Sequence, residues 1–172
     1  MMDDWQAIVS EHGSRLWRAV YRLLLHYDDA MDCCQETLLD AHKFAQRETV
    51  VEWGALLTTL GTRRAIDRLR ERISQQRFTT SLHDIDEPLS VAEGPIESAE
   101  ATELIQQLQR AMAELPVKHA EVFWLVSIEG LSHDEVSRQL SISVNESRVL
   151  LHRARASLET ILQLDKRNVR QS

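Results

Sequence analysis

Ser132-His133-Asp134-Glu135-Val136-Ser137-Arg138-Gln139-Leu140-Ser141-Ile142-Ser143-Val144-Asn145-Glu146 is the stretch whose reading decides the fold. It carries two helix-start signals, Ser132-x-x-Glu135 and Ser143-x-x-Glu146. In such a capping box the serine oxygen accepts from the backbone three residues on, and the glutamate reaches back to the serine N–H. The first box opens a helix over about 132–140, Ser141-Ile142-Ser143 forms the turn, and the second box opens a helix over about 144–162. Val136, Leu140 and Ile142 are placed as contacts inside that corner. A short helix, a tight turn and a longer helix make a helix-turn-helix.

Upstream of this corner the pattern stays helical. A helix is expected over about 97–114, with Ile105, Leu108 and Met112 on its apolar side, stopped by Leu115-Pro116. Another spans about 117–128, rich in Val122, Phe123, Leu125, Val126 and Ile128, and Gly130 ends it. Residues 78–96 lack periodicity, contain Pro88, Gly94 and Pro95, and read as an acidic linker. The chain is thereby divided into modules of 1–77 and 97–165, with a polar tail over 166–172. No internal repeat is visible.

In the first module, residues 5–25 read as a helix through Trp5, Ile8, Val9, Leu16, Trp17, Val20, Leu23 and Leu24. Residues 29–45 repeat the pattern, with Asp28 and Asp29 as its caps. Residues 50–75 are helical in two phases. Trp53, Leu56, Leu57 and Leu60 share one arc, and Ile66, Leu69 and Ile73 share another, turned by more than a third of a revolution. One straight helix with a single buried side cannot use both, so a break is expected at Gly61-Thr62. All four tryptophans are read as core. Composition agrees with an all-α fold of two small helical domains: 43% apolar residues, but only five glycines and three prolines in 172 residues.

The net charge of −7 is unevenly spread. Residues 79–103 hold seven carboxylates and no lysine or arginine, whereas residues 60–77 hold six arginines against Asp67 and Glu71. Binding follows the local field, not the total. Arg64, Arg68 and Arg72 recur every four residues opposite Ile66, Leu69 and Ile73. Such a stripe can track phosphates and single-stranded DNA; its bland alternative is a solvated helix face, with Asp67 pairing the neighbouring arginines.

Enzyme chemistry finds little support. The chain has no phosphate loop, no His-Glu-x-x-His and no Gly-x-Ser-x-Gly, and its seven histidines are scattered. Adjacent Cys33 and Cys34 cannot make a spaced zinc motif, and one is expected in the core and one partly exposed. No metal or other cofactor is expected. With no signal peptide and no apolar run of roughly 18 residues, a cytoplasmic protein without membrane insertion is the simplest reading.

The order of motifs resembles sigma factors of the extracytoplasmic-function type, and the likeness spans nearly the whole chain. Glu114-Leu115-Pro116, Glu121-Val122-Phe123, Glu129-Gly130-Leu131-Ser132-His133-Asp134-Glu135-Val136 and His152-Arg153-Ala154-Arg155-Ala156-Ser157-Leu158 resemble the family's region four. Asp29-Ala30-Met31-Asp32-Cys33-Cys34-Gln35-Glu36 resembles its polymerase-binding helix, and Arg64-Ala65-Ile66-Asp67-Arg68-Leu69-Arg70 its promoter-melting helix. The resemblance implies a transcription-initiation factor that binds core RNA polymerase and promoter DNA, often under an anti-sigma partner.

It also implies roles for particular residues. Asp29, Asp32, Gln35 and Glu36 would dock on the polymerase clamp. Arg63, Arg64, Arg68, Arg70 and Arg72 would hold the minus-ten element. Ser143, Asn145, Glu146, Arg148, His152, Arg153 and Arg155 would meet the minus-35 element, with Arg148 able to read guanine. Two departures stand out. The family's base-holding asparagine aligns with Arg63, which could hold a base edge or a phosphate. The usual Val-Lys-Ser-Arg run is Ser147-Arg148-Val149-Leu150, so two positions that often touch DNA are apolar. The linker is open to three readings: a plain tether, a segment threading a polymerase channel, or an acidic arm restraining the arginine stripe. Two other functions compete: a helix-turn-helix regulator acting without polymerase, and a degenerate sigma-like module that binds only a protein.

Overall fold

The computed structural model describes residues 5–80 and 99–169, all but the short connections helical. Of the acidic linker expected over 78–96, residues 78–80 are helical and 81–96 lie outside the described residues; of the tail expected over 166–172, residues 166–169 are helical and 170–172 lie outside them. In chain order the helices are α1 (Trp5–Leu24), α2 (Tyr27–Ala45), α3 (Trp53–Thr80), α4 (Ala99–Glu114), α5 (Val117–Phe123), α6 (His133–Leu140) and α7 (Val144–Val169). A π-helical turn, Trp124–Ile128, prolongs α5. The all-α expectation holds, and no described helix is long and apolar enough to cross a membrane.

The entry to α2 differs from expectation. Its cap is His26, whose Nδ1 accepts from the Asp29 N–H at 3.3 Å. Asp28 and Asp29 sit instead in the first turn, where carboxylates complement the helix dipole.

The expected break at Gly61-Thr62 is absent: α3 runs unbroken for 28 residues. Both apolar arcs can be used because α3 is central, packed by α1 and α2 and also by α4, α5 and α6. Its first half is buried almost all round, from Gly54 to Thr59. Gly61 is thus a contact residue and not a hinge. A Cβ there would collide with Leu16 Cδ1 and stand 3.0 Å from Val20 Cγ2, so glycine is what lets α1 lie directly on α3.

The described helices fall into two clusters that pack on each other. One apolar core joins Leu16, Val20, Leu23, Ile66 and Leu69 to Met112, Leu115, Ala120, Trp124, Ala154 and Leu158. A second builds the corner from Val122, Leu125, Leu131, Val136, Leu150 and Leu151, with Leu140 and Ile142 against it and Ala55 of α3 as a guest. Polar contacts cross the same seam: Gln109 Nε2 donates to the Leu23 and Leu24 carbonyls at 2.9 and 3.1 Å. Arg77 pairs with Glu114 at 2.8 Å. Among the tryptophans only Trp124 is buried; Trp5 and Trp53 meet edge to face at 5.6 Å, half-buried, and Trp17 stacks on Tyr21. Cys33 and Cys34 are both buried. Burial raises both thiols, that of Cys34 to about 12, which suits inert packing groups rather than reactive ones.

Candidate nucleic-acid interface

Two surfaces carry the candidate residues. The first is the groove between α2 and α3. Arg64 forks onto Glu36 and Asp40. Arg72 reaches Asp29 at 3.2 Å and the Leu24 carbonyl at 3.0 Å, and Arg68 stands 3.9 Å from Asp29. The structure therefore brings the expected DNA-binding stripe and half of the expected polymerase-binding set onto each other. This follows from spacing by whole turns on both helices, seven and four residues between the acids of α2 and four between the arginines of α3. Asp29, Glu36 and Asp40 line one side of α2, and the arginines face them along α3.

These ion pairs shape the charges. Burial opposes ionisation of Arg64, but Asp40 and Glu36 outweigh it and hold the guanidinium above its ordinary value. The Arg64 contact keeps the Asp40 carboxyl low in turn. Arg72 is the exception: burial pulls it down, only partly offset by Asp29. Asp40 was missed from sequence, although its place four residues after Glu36 was the available signal.

Arg63 and Arg70 lie on another side of α3. Arg63 is 63% exposed and its Nε is 3.4 Å from Oε1 of Glu121, whose side chain is 4% exposed. Arg70 donates to the Leu115 carbonyl at 3.1 Å. Both arginines thus point toward the second helix cluster. Asp67, expected to pair with its neighbours, is exposed and in no ion pair with a described residue. Burial raises the Glu121 carboxyl, with Arg63 and Lys118 opposing and Asp67 adding to the rise. Glu129 is raised likewise by burial, against the pull of Arg22, Arg15 and Arg18. Both acids stand in the motifs that resemble region four, but their burial was not foreseen from sequence, since it comes from partners far along the chain. Asp32 and Gln35 remain on the outer side of α2, exposed beside Leu39.

The second surface is the helix-turn-helix. Ser132 and Glu135 form the full reciprocal box, with Ser132 N–H donating to Glu135 Oε2 at 2.7 Å and Glu135 N–H to Ser132 Oγ at 3.2 Å. Ser141 closes α6 in the left-handed conformation, φ 52°. Ser143 Oγ accepts from the Glu146 N–H at 3.0 Å, but Glu146 makes no return bond to a described residue, so the second box is one-sided.

The start of α7 is open to solvent. Ser143, Asn145, Glu146, Arg148, His152, Arg153 and Arg155 are all exposed. Arg155 donates to Ser127 Oγ at 3.2 Å, while Arg148 and Arg153 bond to no described residue. The two apolar departures separate here. Leu150 is 8% exposed and belongs to the core of the corner, so it is no lost DNA contact. Val149 is 38% exposed and faces out. Ser147 is fully buried, its Oγ 2.8 Å from Nδ1 of His133 on α6. Among the described residues no group of three His, Cys, Asp or Glu could hold a metal ion.

Comparison with known proteins follows the same division. Residues 8–74 match the family model "Sigma-70 region 2", and residues 105–158 match "Sigma-70, region 4". The chain is similar to the ECF RNA polymerase sigma factor SigE of Mycolicibacterium smegmatis, 28% identical over 161 residues. That alignment covers 94% of this chain but 62% of the relative, so the chain spans somewhat under two thirds of that protein's length. It is 25% identical to SigW of Bacillus subtilis over 166 residues, covering 91% of this chain and 87% of SigW. The ferric citrate uptake sigma factor FecI of Escherichia coli is 23% identical over 150 residues, covering 87% and 86%. Among solved structures, RpoE in complex with the anti-sigma factor NepR from Bartonella quintana shares the fold. Its TM-score is 0.60 at 20% identity, covering 95% of this chain and 99% of that one.

Proposed function

Because the chain belongs to the extracytoplasmic-function sigma factors, with regions 2 and 4 in that order, we propose that it binds core RNA polymerase in the cytoplasm and directs it to promoters. In this reading α7 enters the major groove of the minus-35 element. The observation that carries it is the start of α7: Arg148 and Arg153 unpaired among the described residues, beside exposed Asn145 and His152, on a helix held by a corner of the kind that enters a groove. Arg148 is the candidate for guanine, and Arg153 and Arg155 for phosphates.

The minus-ten element falls to α3. Arg63, Arg64, Arg68 and Arg72 already hold acids, so engagement is an exchange in which phosphates or bases replace Glu121, Glu36, Asp40 and Asp29. Arg63, 63% exposed, is the group to meet an extruded base or its phosphate. Capture of that base must offset an unstacking cost of a few kcal/mol. Asp32 and Gln35, uncommitted on the outer side of α2, are assigned to the polymerase clamp, and Asp29 and Glu36 to holding the arginines as well. An anti-sigma partner belongs to the proposal, supported by the solved complex of RpoE with NepR.

Run-off transcription with reconstituted enzyme tests it. Core polymerase plus the chain is expected to start transcripts at promoters selected from a random library, and neither alone should. R148A should weaken upstream recognition, and R63A should slow opening with upstream binding retained. A chain that binds the selected duplex equally well without core enzyme would instead be a free-standing regulator. A chain that binds core enzyme yet starts no transcript would be an interaction module.

A further inference from the structure

We infer that Val149 is a specificity residue which packs on the 5-methyl group of a thymine in the upstream element. This rests on the groove-reading role of α7 proposed above. Two inward anchors set the rotation of the helix. Ser147 is fully buried and bonded to His133, and Leu150 and Leu151 are 8% and 7% exposed in the core of the corner. With those residues turned inward, the 100° step of an α-helix carries Val149 to the opposite, outward arc. There it lies one turn beyond Asn145 and three residues before His152, both exposed.

No packing among the described residues calls for valine at that position. It is 38% exposed, and it is the one large aliphatic side chain so exposed among the described residues of α7. It contributes little to the core, and a β-branched residue is a poorer helix former than the arginine or glutamate that such an exposed position could carry. Base pairs present one apolar group to the major groove, the thymine methyl. A branched aliphatic side chain flanked by an amide and a guanidinium suits an A·T step. Asn145 can take adenine, Val149 the methyl, and Arg148 a guanine or phosphate alongside.

The test uses holoenzyme reconstituted from cognate core polymerase and the full chain. The probe is a fluorescent duplex selected from a random library, together with copies in which each thymine of the upstream element is replaced singly by deoxyuridine. Deoxyuridine removes the methyl and leaves the base pairing intact. The expected result is a loss of about four-fold in affinity at one thymine, the worth of one buried methyl group, and no such loss with V149S. Equal sensitivity in the V149S enzyme overturns the inference. So does insensitivity at every thymine, or a selected element that contains none. In each of those cases a several-fold loss with R148A shows that α7 still reads the groove; no loss with R148A removes the groove-reading role as well.

Discussion

Replacing Glu121 by glutamine should stabilise this protein at neutral pH. The residue is 3% exposed, its Oε1 has no hydrogen bond to a described residue, and its neighbour across the seam is Arg63 at 3.4 Å. Leaving a buried polar atom unsatisfied costs about 1–3 kcal/mol, more when it is charged. The compensating partner is 63% exposed, and an ion pair with so wet a guanidinium contributes only about 0–1 kcal/mol. Glutamine keeps the shape and removes the charge. The expected net gain is therefore about 1–2 kcal/mol, or roughly 2–8 °C in Tm for a chain of this size.

The sign with pH follows from the direction of the shift. Burial raises the folded carboxyl above its ordinary value of 4.5, so the native state holds the proton more tightly than the unfolded one. The stabilisation this confers is complete below about pH 4.5 and is lost as pH rises through the folded value. Parent and E121Q should then melt alike near pH 4.5 and diverge toward neutrality. R63A should do the reverse, falling below the parent at neutral pH because it abandons a buried charge, and the double variant should recover most of that loss. Thermal melts across pH decide it. An E121Q protein less stable than the parent at pH 7, with a gap that does not close on acidification, would show that the pair is net stabilising and the reasoning wrong.

Other expectations follow from single contacts. G61V should cost about 1–3 kcal/mol by overpacking against Leu16 and Val20, seen as a lower urea midpoint; an unchanged midpoint would mean that α1 and α3 can separate at little cost. S147A removes the buried bond to His133 and should cost about 0.5–1.5 kcal/mol, with weaker upstream DNA binding if rotation of α7 matters; a variant unchanged in both respects refutes the anchor. E36Q with D40N frees Arg64 from both acids, and the slope of log affinity for promoter DNA against log salt should steepen by about one. An unchanged slope with an unchanged affinity would mean that the two acids do not compete with DNA for Arg64.

Local chemistry was enough for the helix-turn-helix. Its capping box and serine-rich turn act within a few residues, so the order Ser132, Glu135, Ser143 already located α6, the turn and the start of α7. Apolar spacing likewise located α1, α4 and α5. What spacing could not reveal was how many neighbours a helix has. The two apolar arcs of α3 implied a break only if one side was to be covered; with partners on both sides, one straight helix uses both.

Charge pairing was settled at the same distance. Arg64 meets Asp40 and Glu36 across 24 and 28 residues, and Arg72 meets Asp29 across 43. Arg63 and Glu121 are joined only because the second cluster lies against α3. A guanidinium or carboxylate carries its charge whatever the fold, and that much is written in the chain. Whether it faces water, an opposite charge or a buried seam depends on which surfaces the apolar cores bring together, and only packing between distant segments decides that.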